Sequence, residues 1–159
     1  MECVKDLLEI LKSQETLYIE MRGILEAEKE CVVTWNAEKT IELVKKKDTL
    51  TYKEKFLDEA FKSSMKKMEK ELGISGLKVQ TIPAEISGEY HSELQEMRKK
   101  LLKLINEITT LNMSLKILYK TNISLIEGVF GRLGIAGKNT YGINKGYAKA
   151  KTSTISRTG

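Results

Sequence analysis

The sequence is poor in the residues that interrupt helices or carry chemistry. Its 159 residues include one proline, one histidine and two cysteines, and 6% are aromatic while 31% are charged, a balance that favours long helices over sheets. Cys3 and Cys31 lie too far apart on one predicted helix to form a disulfide. No window holds the roughly 18 apolar residues of a membrane span, and the charged N-terminus is unlike a secretory signal. These absences predict a single helical domain in the cytoplasm.

The same scarcity argues against catalysis and metal binding. His91 has no cysteine or paired carboxylate within reach by spacing, so neither a Cys/His catalytic pair nor a zinc site can be assembled. Gly128, Gly131 and Gly134 follow a predicted helix rather than a strand, and no Gly-Lys-Ser/Thr sequence completes a phosphate loop. We therefore predict that the protein is not an enzyme, has no catalytic residue, metal or cofactor, and acts by binding.

The strongest pattern lies in residues 89–133, where apolar residues recur at alternating steps of three and four. This seam consists of Leu94, Met97, Leu101, Leu104, Ile108, Leu111, Leu115, Leu118, Leu125 and Val129. A seam with this period holds one face of a helix against partner helices over many turns. Its one polar position, Asn122, either fixes the register or oligomeric state or is a partly solvated amide near a frayed end.

Two further helices are predicted upstream, at about residues 3–33 and 37–72. Gln14 and Glu28 interrupt the apolar rhythm of the first helix. The break between the two helices is short and ends at Asn36, a favourable N-cap residue, so the second helix must return antiparallel to the first.

Residues 73–88 form a linker punctuated by glycine and proline. Gly73 is suited to the left-handed position that ends the second helix, and we expect the linker to drape over one end of the bundle. Ser92 and Gln95 have the spacing of a capping box at the start of the third helix. The predicted fold is all-α: an elongated antiparallel three-helix coiled-coil bundle over residues 1–133.

A second apolar stripe begins near the end of the third helix. It contains Tyr119, Ile123, Ile126, Phe130 and Leu133, again at steps of four and three. Either a further helix covers this stripe, or it is left free for a partner.

The composition changes at residue 134. The segment 134–159 carries five basic residues and no acid; subtracting these five from 27 basic residues leaves 22, equal to the 22 acidic ones. The whole net charge of +5 therefore belongs to this segment. Because it has little apolar surface to bury, we predict a flexible, disordered C-terminal tail, in which Tyr141 has the appearance of a docking residue.

These features together resemble the FlgN family of bacterial flagellar export chaperones. The resemblance rests on the heptads around Tyr18–Glu28, the break before Asn36, the segment Glu-Leu-Val-Lys-Lys-Lys-Asp-Thr-Leu that follows, the Asn106, Asn112 and Leu115 spacing, and the ending Thr140-Tyr141-Gly142 with Gly146. The order of these parts, with the Tyr-Gly ending, is more specific than the helical heptads alone.

The resemblance implies an ATP-independent cytoplasmic chaperone of type III flagellar export. Such a protein binds C-terminal helical segments of the hook–filament junction proteins, prevents their premature assembly and delivers them to the export gate. The client-binding residues would be Tyr119, Asn122, Ile123, Ile126, Phe130 and Leu133. Docking to the cytoplasmic domain of the gate would fall to Tyr141, Gly142 and Gly146. The free protein would be a monomer or a homodimer.

A different class of function stays open at this point. A structural coiled-coil scaffold could use its basic tail to bind nucleic acid or an acidic membrane surface without specificity. Salt separates the two classes, because binding through the tail would be lost at moderate ionic strength whereas binding through an apolar stripe would mostly survive.

Overall fold

The computed structural model describes residues 2–134 and consists mainly of three long helices. In chain order the elements are α1 (Glu2–Val33), α2 (Ala37–Leu72), a 3-10 turn (Val79–Thr81), α3 (Ala84–Ser87), a second 3-10 turn (Gly88–Tyr90) and α4 (His91–Arg132). The described residues contain no strand, which confirms the all-α prediction. The tail predicted for residues 134–159 lies, apart from Gly134, outside the described residues.

The chain divides into two units, with the boundary between Thr121 and Asn122. In the first unit, side-chain contacts fix the helix directions. Tyr18 contacts Glu54, and further along α1 Glu28 contacts Lys47, so α2 runs antiparallel to α1. Among the described helices, these two have the most extensive backbone contact.

The first part of α4 runs parallel to α1. Lys12 of α1 pairs with Glu93 at 2.7 Å, and ten residues later Arg22 pairs with Glu107 at 2.7 Å. The first unit is therefore an up–down–up bundle of three helices, in which each helix is antiparallel to the one joined to it.

The larger apolar core lies where the three helices meet the linker. Its buried members are Val4, Leu7, Leu8, Leu11, Met65, Met68, Leu77, Ile82, Leu94, Met97 and Leu101. Leu77 and Ile82 come from the linker, and full burial of such a side chain is worth about 1.5–3 kcal/mol. The linker thus covers one end of the bundle, as expected, and contributes to its core.

A second, smaller cluster lies farther along the bundle. Leu25, Val32 and Leu115 are buried in it, and Met21, Ile108, Leu111, Leu118 and Tyr119 pack against them. The seam of α4 therefore supplies both clusters, which explains why its apolar rhythm is sustained over so many turns.

The ends of α2 agree with the sequence prediction. The side chain of Asn36 accepts a hydrogen bond from the backbone N–H of Lys39 at 3.1 Å. Gly73 takes the left-handed conformation, with φ of 65°, and its N–H donates to the carbonyl of Glu69. Without a Cβ, glycine adopts this conformation at no steric cost, and it ends the helix there.

The predicted capping box at the start of α4 is wrong. Ser92 lies inside the helix as its second residue, because the chain already turns helically through Gly88–Tyr90. The side chain of Gln95 donates instead to the carbonyl of Val79 at 3.3 Å. It therefore ties the linker to α4 rather than satisfying the helix end.

Candidate functional site

The second unit is described from Asn122 to Gly134 and carries a concentration of exposed apolar side chains. Ile123, Leu125, Ile126, Val129, Phe130 and Leu133 are between 40% and 66% exposed. Six large apolar side chains within eleven positions are far more than the scattered exposed residues of an ordinary surface. This exposed apolar segment, residues 123–133, is the candidate site.

Helical periodicity arranges these side chains on one side. Ile123, Ile126, Phe130 and Leu133 follow the three-and-four spacing that places residues along a single helical face. Leu125 and Val129 belong to the neighbouring row and widen this face. The other side carries small or polar residues, namely Ser124, Glu127, Gly128 and Gly131. An apolar face of this width suits the apolar side of an amphipathic helix.

Leu125 and Val129 are the residues that the sequence analysis assigned differently. Their spacing continues the buried seam, yet they are 56% and 49% exposed. The spacing of apolar residues alone predicted that Leu125 and Val129 face partner helices within the chain. This prediction is wrong for both residues. Because both side chains are exposed, we assign them to the candidate site rather than to the core.

Tyr119, the first predicted client-binding residue, lies in the first unit and packs into the smaller core cluster. Its hydroxyl donates to Oε1 of Glu28 at 2.7 Å. Burial raises the pKa of this hydroxyl, and the hydrogen bond to Glu28 adds to the effect. Tyr119 is thus engaged in the bundle, whereas Ile123, Ile126 and Phe130 are exposed. Asn122 is half-buried.

Glu28 has a role in joining the helices that its sequence pattern did not reveal. Its side chain is fully buried, and its two oxygens accept from Lys47 Nζ and the Tyr119 hydroxyl, each at 2.7 Å. A buried carboxylate without partners would cost several kcal/mol, so these two contacts are needed for it to be tolerated. Because Lys47 is on α2 and Tyr119 on α4, this polar node joins all three helices at one level and holds their register.

The predicted gate-docking residues, Tyr141, Gly142 and Gly146, lie outside the described residues.

A model of the FlgN protein family matches residues 1–149 of the chain. The chain belongs to the FlgN family. FlgN is a family of flagellar export chaperones. No curated protein and no solved structure matches the sequence.

The rest of the described FlgN chain contains few features that could form a metal site, a client pocket or a membrane span. His91 Nδ1 lies 2.7 Å from Ser87 Oγ, and no group of His, Cys, Asp or Glu within residues 2–134 is arranged to hold a metal ion. Two open clefts of about 340 and 370 Å³ contain none of the predicted client-binding residues. Among the described residues, no helix has the length and apolarity required to cross a bilayer.

Proposed function

We propose that this FlgN protein is an ATP-independent, cytoplasmic chaperone that binds the C-terminal helical segments of hook–filament junction proteins. The exposed apolar segment, residues 123–133, receives the apolar side of the client helix. By covering that side, the chaperone prevents the client from assembling before export. It then delivers the client to the export gate.

The observation that carries the proposal is the exposure of Ile126 and Phe130, each 41% exposed, together with four apolar neighbours on one helix segment. Client segments that assemble as coiled coils present apolar seams of the same period, so they can match this face residue by residue. Because the contact is mainly apolar, it resists salt, unlike binding through the basic tail to nucleic acid or an acidic membrane.

Calorimetric titration with the C-terminal peptide of a hook–filament junction protein tests the client site. Ile126→Asp and Phe130→Asp each place a carboxylate in the apolar contact, and we expect each to cost about 2 kcal/mol, roughly thirtyfold in Kd. Both variants should melt like the wild type, because these side chains are exposed in the free protein.

Ile41→Asp is the matched control for this titration. Ile41 is an isoleucine on α2 and is 58% exposed, but it lies outside the segment 123–133. We expect its substitution to leave client affinity unchanged. Equal losses from Ile41→Asp and Ile126→Asp would show that the client does not select the proposed segment.

Delivery is proposed to depend on Tyr141, with Gly142 and Gly146 allowing the backbone of the tail to approach the gate closely. Tyr141→Ala should leave client affinity intact and weaken binding of the chaperone–client complex to the purified cytoplasmic domain of the gate. Tyr147→Ala, a second tyrosine of the same tail, is the matched control. If the two variants bind the gate domain equally well, the assignment of Tyr141 is wrong.

A further inference from the structure

The first unit exposes a second apolar row, on the side of α4 that faces away from the seam. Leu102, Ile105, Met113 and Ile117 are 45%, 42%, 63% and 63% exposed, respectively. Their positions place them along one helical face, opposite the buried row that includes Leu104 and Leu115. This outer face of α4 uses none of the residues of the proposed client segment, 123–133.

The charges that border the outer face have a single sign. They are Arg98, Lys99, Lys103, Lys116 and Lys120. Between Leu94 and Lys120 the only acids of α4 are Glu96 and Glu107. Both acids are already paired, Glu96 with Lys100 at 3.1 Å, and Glu107 with Arg22 at 2.7 Å and with Lys103 at 4.0 Å.

Lys103 is paired with Glu107, but three other lysines of this face have no acidic partner among the described residues. Within residues 2–134, no carboxylate lies at ion-pair distance from Lys99, Lys116 or Lys120. The surface of α2 is different, because Lys46 and Lys62 pair with acids four residues earlier on their own helix. Acidic residues are thus interleaved with the lysines of α2, whereas the charged residues that border the outer face of α4 are all basic.

We propose that the outer face of α4 is a second docking surface, which takes an acidic amphipathic helix of a protein partner. The four apolar residues would contact the partner's apolar row, and Lys99, Lys116 and Lys120 would pair with acidic residues that flank it. The row from Leu102 to Ile117 spans about 22 Å at 1.5 Å per residue, about four turns of a partner helix.

The composition of the face favours a helix over a lipid surface. Helices that lie in a membrane interface bury a continuous apolar side that is rich in Trp, Phe and Leu. Here no aromatic residue is present, and Asn106, Thr109 and Thr110 divide the apolar row into two pairs. A partner helix can contact the two pairs separately and hydrogen-bond the side-chain amide of Asn106 between them. The hydroxyls of Thr109 and Thr110 already donate to the carbonyls of Ile105 and Asn106, and they can still accept hydrogen bonds from the partner.

Two designed helical peptides with the same apolar seam test the proposal, one flanked by glutamates and the other by lysines. Titrated into the full chain, the acidic peptide should bind and the basic one should not. Reversing both charges in Lys116→Glu/Lys120→Glu should weaken the acidic peptide by about tenfold or more, since this variant replaces two attractive pairs with repulsive ones. Ile117→Asp should weaken it as well, through the apolar row.

Lys66→Glu/Lys70→Glu on α2 is the matched control, because it reverses two exposed lysines at the same spacing. It should leave acidic-peptide affinity unchanged, and thermal melts should show that both double variants are folded. Equal weakening by the two double variants, or persistence of binding in Lys116→Glu/Lys120→Glu, would assign the attraction to overall charge or to the basic tail and overturn the proposal.

Two other occupants are distinguished in the same experiment. Vesicles of phosphatidylcholine with phosphatidylserine should bind the chain more weakly than the acidic peptide does, and the reverse preference overturns the proposal in favour of a membrane. Sedimentation of the chain alone should show no association that depends on Lys116 and Lys120. Association of that kind, without peptide binding, would identify a second copy as the occupant instead.

Discussion

One apolar rhythm continues along α4 but produces two different surfaces. Leu94, Leu101 and Leu115 are at most 7% exposed, whereas Leu125 and Val129, in the same rhythm, are 56% and 49% exposed. The periodicity of a helix sets which side chains share a face. Whether that face is covered depends on elements elsewhere in the chain. Uncovered residues with core-like spacing are therefore candidates for contacts that another protein completes.

The most severe test of this contrast places the same charge at two seam positions. Leu115→Asp buries a carboxylate without a partner and should cost about 3–5 kcal/mol, enough to unfold a marginally stable bundle. Leu125→Asp should cost less than about 1 kcal/mol, because the new carboxylate stays in water. Circular-dichroism melts of the two variants measure the difference. If Leu125→Asp destabilises the fold as severely as Leu115→Asp, the end of α4 is part of the core.

A second test concerns the two tyrosines that contact carboxylates across helices. Tyr119→Phe removes a donor from the fully buried Glu28 and should cost about 1–3 kcal/mol. Tyr18→Phe removes a longer bond, 3.2 Å, to the partly buried Glu54, and should cost less than about 1 kcal/mol. Urea unfolding of both variants gives the two values. Equal losses of unfolding free energy would show that the hydrogen bond of Tyr119 to Glu28 stabilises the bundle no more than that of Tyr18 to Glu54.

Glycine-to-alanine substitutions test the difference between the bundle and the exposed apolar segment with smaller expected effects. A Cβ built at Gly23, Gly128 or Gly131 meets no atom within 4 Å, so alanine should stabilise each helix position by about 0.5–1 kcal/mol. Gly23→Ala should raise the melting temperature of the whole bundle. Gly128→Ala and Gly131→Ala should instead slow amide exchange only near the substituted positions. A rise in global melting temperature from Gly128→Ala would show that the two regions unfold together.

The smallest expected effect is a pH dependence. Burial, followed by the charge of Glu54, raises the pKa of Tyr18 from its ordinary value of 10 to about 12. The unfolded chain therefore releases this proton before the folded one does. The stability it contributes is complete below pH 10 and is lost as the pH rises through the folded pKa of about 12. Over this pH interval, the unfolding free energy of Tyr18→Phe should fall less than that of the wild type. If the slope of unfolding free energy against pH is unchanged, Tyr18 is not a source of the pH dependence.

Local chemistry made part of the fold predictable. Asn36 and Gly73 cap α2 through contacts within four residues of themselves, so the short sequence around each contains the whole signal. Ser92 and Gln95 have an equally good local signal, but the chain is already helical before Ser92, and the linker supplies another partner for Gln95. The hydrogen bond of Gln95 to Val79 depends on how the chain folds back, and no local pattern encodes it.

The candidate site was predictable to a similar extent. Spacing identified Ile123, Ile126, Phe130 and Leu133 as one face, since a helix alone determines this. Spacing could not show that Tyr119 is engaged with Glu28, which is 91 residues away in the sequence. A polar residue interrupting an apolar rhythm was the available signal for Glu28. Its partners became evident only once the three helices were placed together.

The two contacts of Glu28 also have a consequence for the order of folding. Lys47 is 19 residues away in the sequence and Tyr119 is 91 residues away. The entropy of closing a loop grows with its length, so the α1–α2 hairpin should form before α4 docks. Glu28 then has its lysine partner early, and docking of α4 adds the tyrosine. During synthesis the hairpin can therefore be in place before the ribosome has made the segment proposed to hold the client, which limits the time that this segment spends beside an unfinished bundle.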